Sequence, residues 1–104
     1  MYCNIKVNIN SKKELDKVLK EEKVLVDFFA SWCGPCQMLS PVLEEISKEV
    51  PGLSIAKVDV DKNPDLAKEH GIISIPVLEF YKNGKLVDKA LGYLSKEEIK
   101  DFLK

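Results

Sequence analysis

The sequence predicts an α/β fold: a central mixed β-sheet with helices on both faces. Three observations carry the prediction. Strand and helix signals alternate across the 104 residues with no repeat, low-complexity tract or linker between them. Val24-Leu25-Val26-Asp27-Phe28-Phe29 is a near-continuous apolar run, the pattern of a strand buried on both faces. Asn83-Gly84 lies between two further apolar segments and marks a hairpin. Helices between strands imply parallel pairing through right-handed crossovers, and the hairpin adds an antiparallel edge.

Each element has its own signal. Ile5, Val7 and Ile9 alternate with polar residues, a short strand with one solvated face. Ser11-Lys12-Lys13-Glu14 is a capping box opening a helix to about Glu22, with Leu15, Val18 and Leu19 inward. After the apolar run, a helix extends from about Cys33 to Val50 with Met38, Leu39, Val42, Leu43 and Ile46 inward. Pro41 lies inside it, which predicts a kinked helix and not two helices. Leu53 to Val60 is a second central strand, and Asp61 to His70 a short helix that Asn63 caps, Pro64 begins and Gly71 ends. Val77–Tyr81 and Leu86–Leu91 form the hairpin strands. A second capping box, Ser95-Lys96-Glu97-Glu98, opens a last helix with Ile99, Phe102 and Leu103 inward. The predicted order is β-α-β-α-β-α-β-β-α.

Size and charge narrow the function. A chain of 104 residues suits a single domain over residues 1–104. All 16 cations are Lys and the net charge is −1, so neither nucleic acid nor an anionic membrane is an expected partner. No apolar stretch is long enough to cross a bilayer, and Met1-Tyr2-Cys3-Asn4 lacks the features of a secretory signal. A cytoplasmic monomer is the expectation. Three cysteines, an odd number, leave Cys3 beside the pair Cys33 and Cys36 and favour catalysis or metal binding over a disulfide framework.

Trp32-Cys33-Gly34-Pro35-Cys36 places two thiols three positions apart where the apolar strand gives way to a helix. At a helix start, unpaired N–H groups and the helix dipole stabilise a thiolate, the species that attacks a disulfide. Cys33 is therefore the expected nucleophile and Cys36, one turn deeper, the resolving thiol. Gly34 and Pro35 set how closely the sulfurs approach. A zinc site would need four ligands, and only Cys3 and the lone His70 remain, far apart and without pair spacing. Asp27, inside the apolar run, reads either as a proton shuttle for Cys36 or as a carboxylate satisfied by Lys57 on the adjacent strand. Pro76 opens a strand, with a cis or a trans bond after Ile75.

These residues resemble the thioredoxin family along essentially the whole chain. The pentapeptide, the preceding Asp27-Phe28-Phe29-Ala30-Ser31, Pro41, Lys57-Val58-Asp59, Ile75-Pro76, Lys82-Asn83-Gly84 and Gly92 fall in the family's order and intervals. The resemblance implies the thioredoxin fold and protein-disulfide reduction. Cys33 would attack, Cys36 would release the product, and Asp27 coupled to Lys57 would assist proton transfer. It implies a cis Pro76 facing the sulfurs, Ile75 offering backbone hydrogen bonds to an extended substrate, and an apolar docking surface of Trp32, Ile75 and Gly92. No bound cofactor is implied; a thioredoxin reductase, fed by NADPH or another donor, would recharge the Cys33–Cys36 disulfide, and disulfide-containing proteins would be the targets.

Gln37 stands where the family often has a cation, Ile73 and Val77 flank Ile75-Pro76 where Arg or Met and Thr are more usual, Tyr93 is bulkier than the common residue after Gly92, and Cys3 lies outside the pattern. An oxidase or isomerase domain of the same fold and a non-catalytic binding module are the rival readings. Gly34-Pro35, with no His in the dipeptide, is similar to the reducing members.

Overall fold

The apolar run at 24–29 becomes the middle of the sheet. The computed structural model describes residues 6–103, with only the backbone of Lys6. The elements are β1 Lys6–Ile9, α1 Lys12–Val18, β2 Lys23–Phe29, α2 Gly34–Glu49, β3 Leu53–Asp59, α3 Pro64–Glu69, β4 Val77–Lys82, β5 Lys85–Leu91 and α4 Lys96–Phe102. Ile5 and Cys3 lie outside the described residues. Five strands form one sheet in the order β1-β3-β2-β4-β5.

β2 and β3 pair in parallel from Lys23↔Leu53 to Phe29↔Asp59, which puts Asp27 opposite Lys57. Side-chain alternation divides their residues between two cores. Val24, Val26 and Phe28 pack with Leu15 of α1 and Leu66 of α3. Leu25 and Ile55 pack with Leu39, Leu43 and Ile46 of α2 and Ile99 of α4. Helices therefore cover both faces, as the apolar runs require.

One pairing departs from the sequence expectation. A helix separates β3 from β4, yet β4 lies antiparallel beside β2, from Lys23↔Lys82 to Phe28↔Val77. The connection through α3 closes at the same end of the sheet at which β3 stops. The chain does not travel back along the sheet, so β4 starts where β2 and β3 end. Asn83 and Gly84 then turn it with φ of 53° and 82°, the paired positive values of a type I′ hairpin that glycine and asparagine tolerate.

Four local expectations are also corrected. α1 ends at Val18, not near Glu22, because Lys20 and Glu21 donate to the carbonyls of Lys17 and Val18 and tighten the chain into a turn before β2. Its Ser11 cap is present, with Oγ accepting from the Glu14 amide at 3.2 Å. α3 begins at Pro64, not at Asp61, whose amide is turned onto Asp59 Oδ1 at 2.9 Å. Asn63 sits at the α3 N-cap position but makes no side-chain cap; its amide nitrogen donates instead to the carbonyls of Ile9 (3.0 Å) and Asp59 (3.1 Å), tying the end of β1 to the β3–α3 connection. Met38 is exposed, one position off the α2 stripe of Cys36, Leu39, Leu43 and Ile46. α2 runs as one helix through Pro41, and the Ser95–Glu98 capping box of α4 is complete.

Glu79 interrupts the apolar pattern of β4 and is 2% exposed. Tyr81 Oη donates to its Oε1 at 2.8 Å and His70 Nδ1 at 2.9 Å, while Lys89 Nζ lies 3.4 Å from Oε2. Burial opposes ionisation of Glu79, but the hydrogen bonds of His70 and Tyr81 and the charges of His70 and Lys89 outweigh it and hold the carboxyl below its ordinary 4.5. Burial, and then the bond to Glu79, push the Tyr81 hydroxyl far above the usual tyrosine range. A depressed carboxyl pKa contributes stability above its unfolded value that is lost as pH falls through the folded value. Urea midpoints of wild type should therefore drop below about pH 4.5 more steeply than those of Glu79→Gln, which has no carboxyl to protonate there.

Candidate active site

α2 begins where β2 has just ended, and Cys33 is its N-cap residue with an extended backbone (φ −87°, ψ 110°). Cys33 Sγ accepts a hydrogen bond from the Cys36 amide at 3.2 Å. Cys33 and Cys36 are joined as a disulfide with Cα atoms 5.2 Å apart. Pro35 falls in the first helical turn, where its fixed φ suits the helix and its missing N–H is no loss. Behind the sulfurs pack Ala30, Phe29, Val60 and Ile75.

The disulfide opens onto a groove of about 480 Å³ lined by Trp32, Pro35, Val60, Ile72, Ile73 and Ile75 among others. Trp32 is 70% exposed and Ile73 98%. An exposed indole needs an anchor to hold one orientation. Trp32 Nε1 donates to Asp61 Oδ2 at 2.7 Å, and the Asp61 amide bond to Asp59 holds that carboxylate's loop in turn. The Ile75–Pro76 bond is cis. Gly92, with φ of 93°, donates its amide to the Pro76 carbonyl at 2.8 Å, which ties the end of β5 to the groove. Gln37, in place of the family's usual cation, donates through Nε2 to the Ser31 carbonyl at 2.7 Å and spans the loop that carries Trp32 and Cys33.

Asp27 is fully buried. It shares a sheet face with Leu25, so it lies under α2, the helix whose first turn carries Cys36. Lys57 Nζ is 4.0 Å from Asp27 Oδ2, donates to Ser40 Oγ at 3.0 Å, and sits 4.9 Å from the centre of the Phe29 ring. Ser40 is four residues after Cys36 and therefore on the same side of α2. Lys57 thus links the Asp27 carboxylate to the Ser40 hydroxyl beneath α2, the helix that carries Cys36 in its first turn.

The thioredoxin family model matches residues 6–104. The chain belongs to the thioredoxin family. Over 98 residues it is 43% identical to a thioredoxin of Mycoplasmoides gallisepticum, covering 93% of this chain and 98% of that one. A Buchnera aphidicola thioredoxin is 48% identical over 88 residues, 83% and 81% of the two chains. Among solved structures, a single-site mutant of a thioredoxin from Halobacterium salinarum superposes with a TM-score of 0.92 at 35% identity, over 99% of this chain and 91% of that one. Like other thioredoxins, this chain is a thiol–disulfide oxidoreductase with protein-disulfide reductase activity, and its redox group is the Cys33–Cys36 disulfide.

Sequence reading named the thiols, Asp27, Lys57, Trp32, Ile75, Pro76 and Gly92 but missed Ser40 and Asp61. Ser40 had a signal, its i+4 spacing from Cys36. Asp61 had none, being 29 positions from Trp32. Among the described residues no group of His, Cys, Asp and Glu could hold a metal ion, and no helix is long and apolar enough to cross a membrane.

Removing Asp27 takes a charge out of the core while leaving Lys57 its hydroxyl partner and ring. Asp27→Ala should raise the urea midpoint near neutral pH, because it removes the cost of burying an ionisable group where Lys57 keeps Ser40 Oγ as its partner.

Proposed function

We propose that Cys33 is the attacking thiol and Cys36 the resolving thiol in the reduction of protein disulfides. In the dithiol form the Cys33 thiolate attacks one sulfur of a target disulfide and the other sulfur leaves, forming a mixed disulfide. Cys36, deprotonated, then attacks Cys33 Sγ and frees the second target sulfur. The target gains two electrons and two protons, and the protein ends as the Cys33–Cys36 disulfide. The observation that carries this reading is the placing of Cys33 Sγ at the start of a helix of 16 residues, where it accepts the Cys36 amide. The same N–H and the helix dipole stabilise negative charge on sulfur.

Asp27 is the group that moves the proton of Cys36, with Lys57 as its partner. Burial disfavours the carboxylate and Lys57 favours it, so the two oppose each other at a carboxyl that must exchange a proton. Gly34 and Pro35 set the potential of the pair. The groove receives an extended target segment, with Ile75 supplying backbone hydrogen bonds, cis Pro76 shaping the floor, and Trp32 and Gly92 completing the apolar rim. A thioredoxin reductase, drawing on NADPH or another donor, returns the disulfide to the dithiol. The protein acts as a cytoplasmic monomer, a single domain over residues 1–104.

A coupled assay with NADPH, candidate reductases and a protein disulfide, run beside a redox titration against glutathione, tests the reading. A reducing potential is expected; a strongly oxidising one would mark an oxidase or isomerase instead. Cys33→Ser should abolish turnover. Cys36→Ser should accumulate disulfide-linked targets in cells, because the thiol that releases them is gone, and failure to recover any would reverse the roles given to the two cysteines. Asp27→Ala should slow reduction near neutral pH by about tenfold or more, and an unchanged rate would remove Asp27 from the proton path.

A further inference from the structure

Glu79 is a buried charge that the thiol chemistry does not use. It lies on the sheet face opposite Asp27, between Val77 and Tyr81, which pack in the core beneath α1 and α3. Glu79 does not line the groove itself; its partners His70 and Lys89 connect it to the segment 71–76 that does. His70 is the C-cap of α3, the last residue before the segment 71–76 that carries Ile72, Ile73, Ile75 and Pro76. Its Nδ1 meets Glu79 Oε1 at 2.9 Å, and its ring packs on Phe28 with centroids 5.2 Å apart. Lys89 stands directly across from Glu79 on β5. Its Nζ lies 3.4 Å from Glu79 Oε2 and also donates to the His70 carbonyl at 2.9 Å. One carboxylate therefore grips the same residue through its side chain and, by way of Lys89, through its backbone. Lys89 further lines, with Gly71, Ile73 and Leu91, the depression between the segment and β5.

We propose that Glu79 is a positioning residue for the docking face: through His70 and Lys89 it fixes the start of the segment 71–76 against the sheet, and so sets how tightly protein disulfides bind. Three further backbone bonds act on the segment without Glu79. The Gly71 and Ile72 amides donate to the Lys68 and Ala67 carbonyls of α3, and the Gly92 amide donates to the Pro76 carbonyl. Loss of the carboxylate loosens the entry of the segment and leaves its exit tied. The cost falls on substrates that need the whole groove. A small disulfide that touches only the sulfurs does not feel it. The inference rests on the reading of this groove as the target-docking site.

The test compares wild type with Glu79→Leu, Glu79→Gln and His70→Phe. KM and kcat for reduction of insulin are measured beside the rate with cystine and the potential against glutathione. Glu79→Leu should raise KM for insulin roughly three- to tenfold, the range for losing buried hydrogen bonds. Its kcat, cystine rate and potential should match wild type. Glu79→Gln, which keeps a side-chain carbonyl for Tyr81 and His70, should recover part of the loss. An unchanged KM in a folded variant overturns the proposal. So does a parallel fall in the insulin and cystine rates or a shifted potential, each of which marks an effect on the thiols or on the whole fold. If Glu79→Leu does not fold, His70→Phe decides alone, since it keeps a ring against Phe28 and loses the nitrogen that meets Glu79. A wild-type protein that reduces cystine but gains nothing from a protein substrate would instead refute the docking role of the groove.

Discussion

Everything at the active site depends on where β2 stops. Phe29 is the last strand residue, Cys33 caps α2, and three residues lie between. Because β2 is the central strand, buried on both sides and paired with β3 and β4, its end is fixed by two ladders and two cores. α2 in turn is fixed by Leu39, Leu43 and Ile46 against Leu25 and Ile55. A sulfur at the N-cap of such a helix is held in place by the fold around it, and the Cys36 amide of the first turn donates to it.

The sheet end collects the rest of the site for the same reason. β3 also finishes there, and β4 starts there, with Val77 opposite Phe28. The β3–α3 connection supplies Asp61 for Trp32, and the α3–β4 connection supplies the apolar segment that ends in Ile75 and Pro76. Three connections converge at one end of the sheet.

Two carboxylates are buried in the sheet, and they serve opposite faces. Asp27 lies under α2 with Lys57 beside it, and Lys57 bonds Ser40. Glu79 points under α3, with His70, Tyr81 and Lys89. Burial of a carboxylate demands compensation, and at both sites a Lys from a neighbouring strand contributes it. The difference lies in how close that cation comes. Glu79 has two hydrogen-bond donors within 2.9 Å and a cation at 3.4 Å, and its pKa falls. The Lys57 ammonium stands farther from Asp27, at 4.0 Å, and hydrogen-bonds Ser40. A carboxylate gripped on all sides suits a structural role, whereas one whose cation stands off suits proton exchange.

The sequence by itself determined the order of the elements, the paired cysteines and the helix start beside them. Those features are local: spacing, caps, turn residues and apolar period all act within a few positions. It also placed Asp27 and Lys57 opposite each other, since neighbouring parallel strands in register made that pairing readable. Tertiary structure alone decided the direction of β4, which lies antiparallel to β2 although a helix precedes it. Tertiary structure also turned the Asn63 amide from its helix to Ile9, brought Asp61 to Trp32 across 29 positions, and gathered His70 and Lys89 around Glu79. Each of these contacts joins groups from different parts of the chain, which the fold must bring together before they can bond.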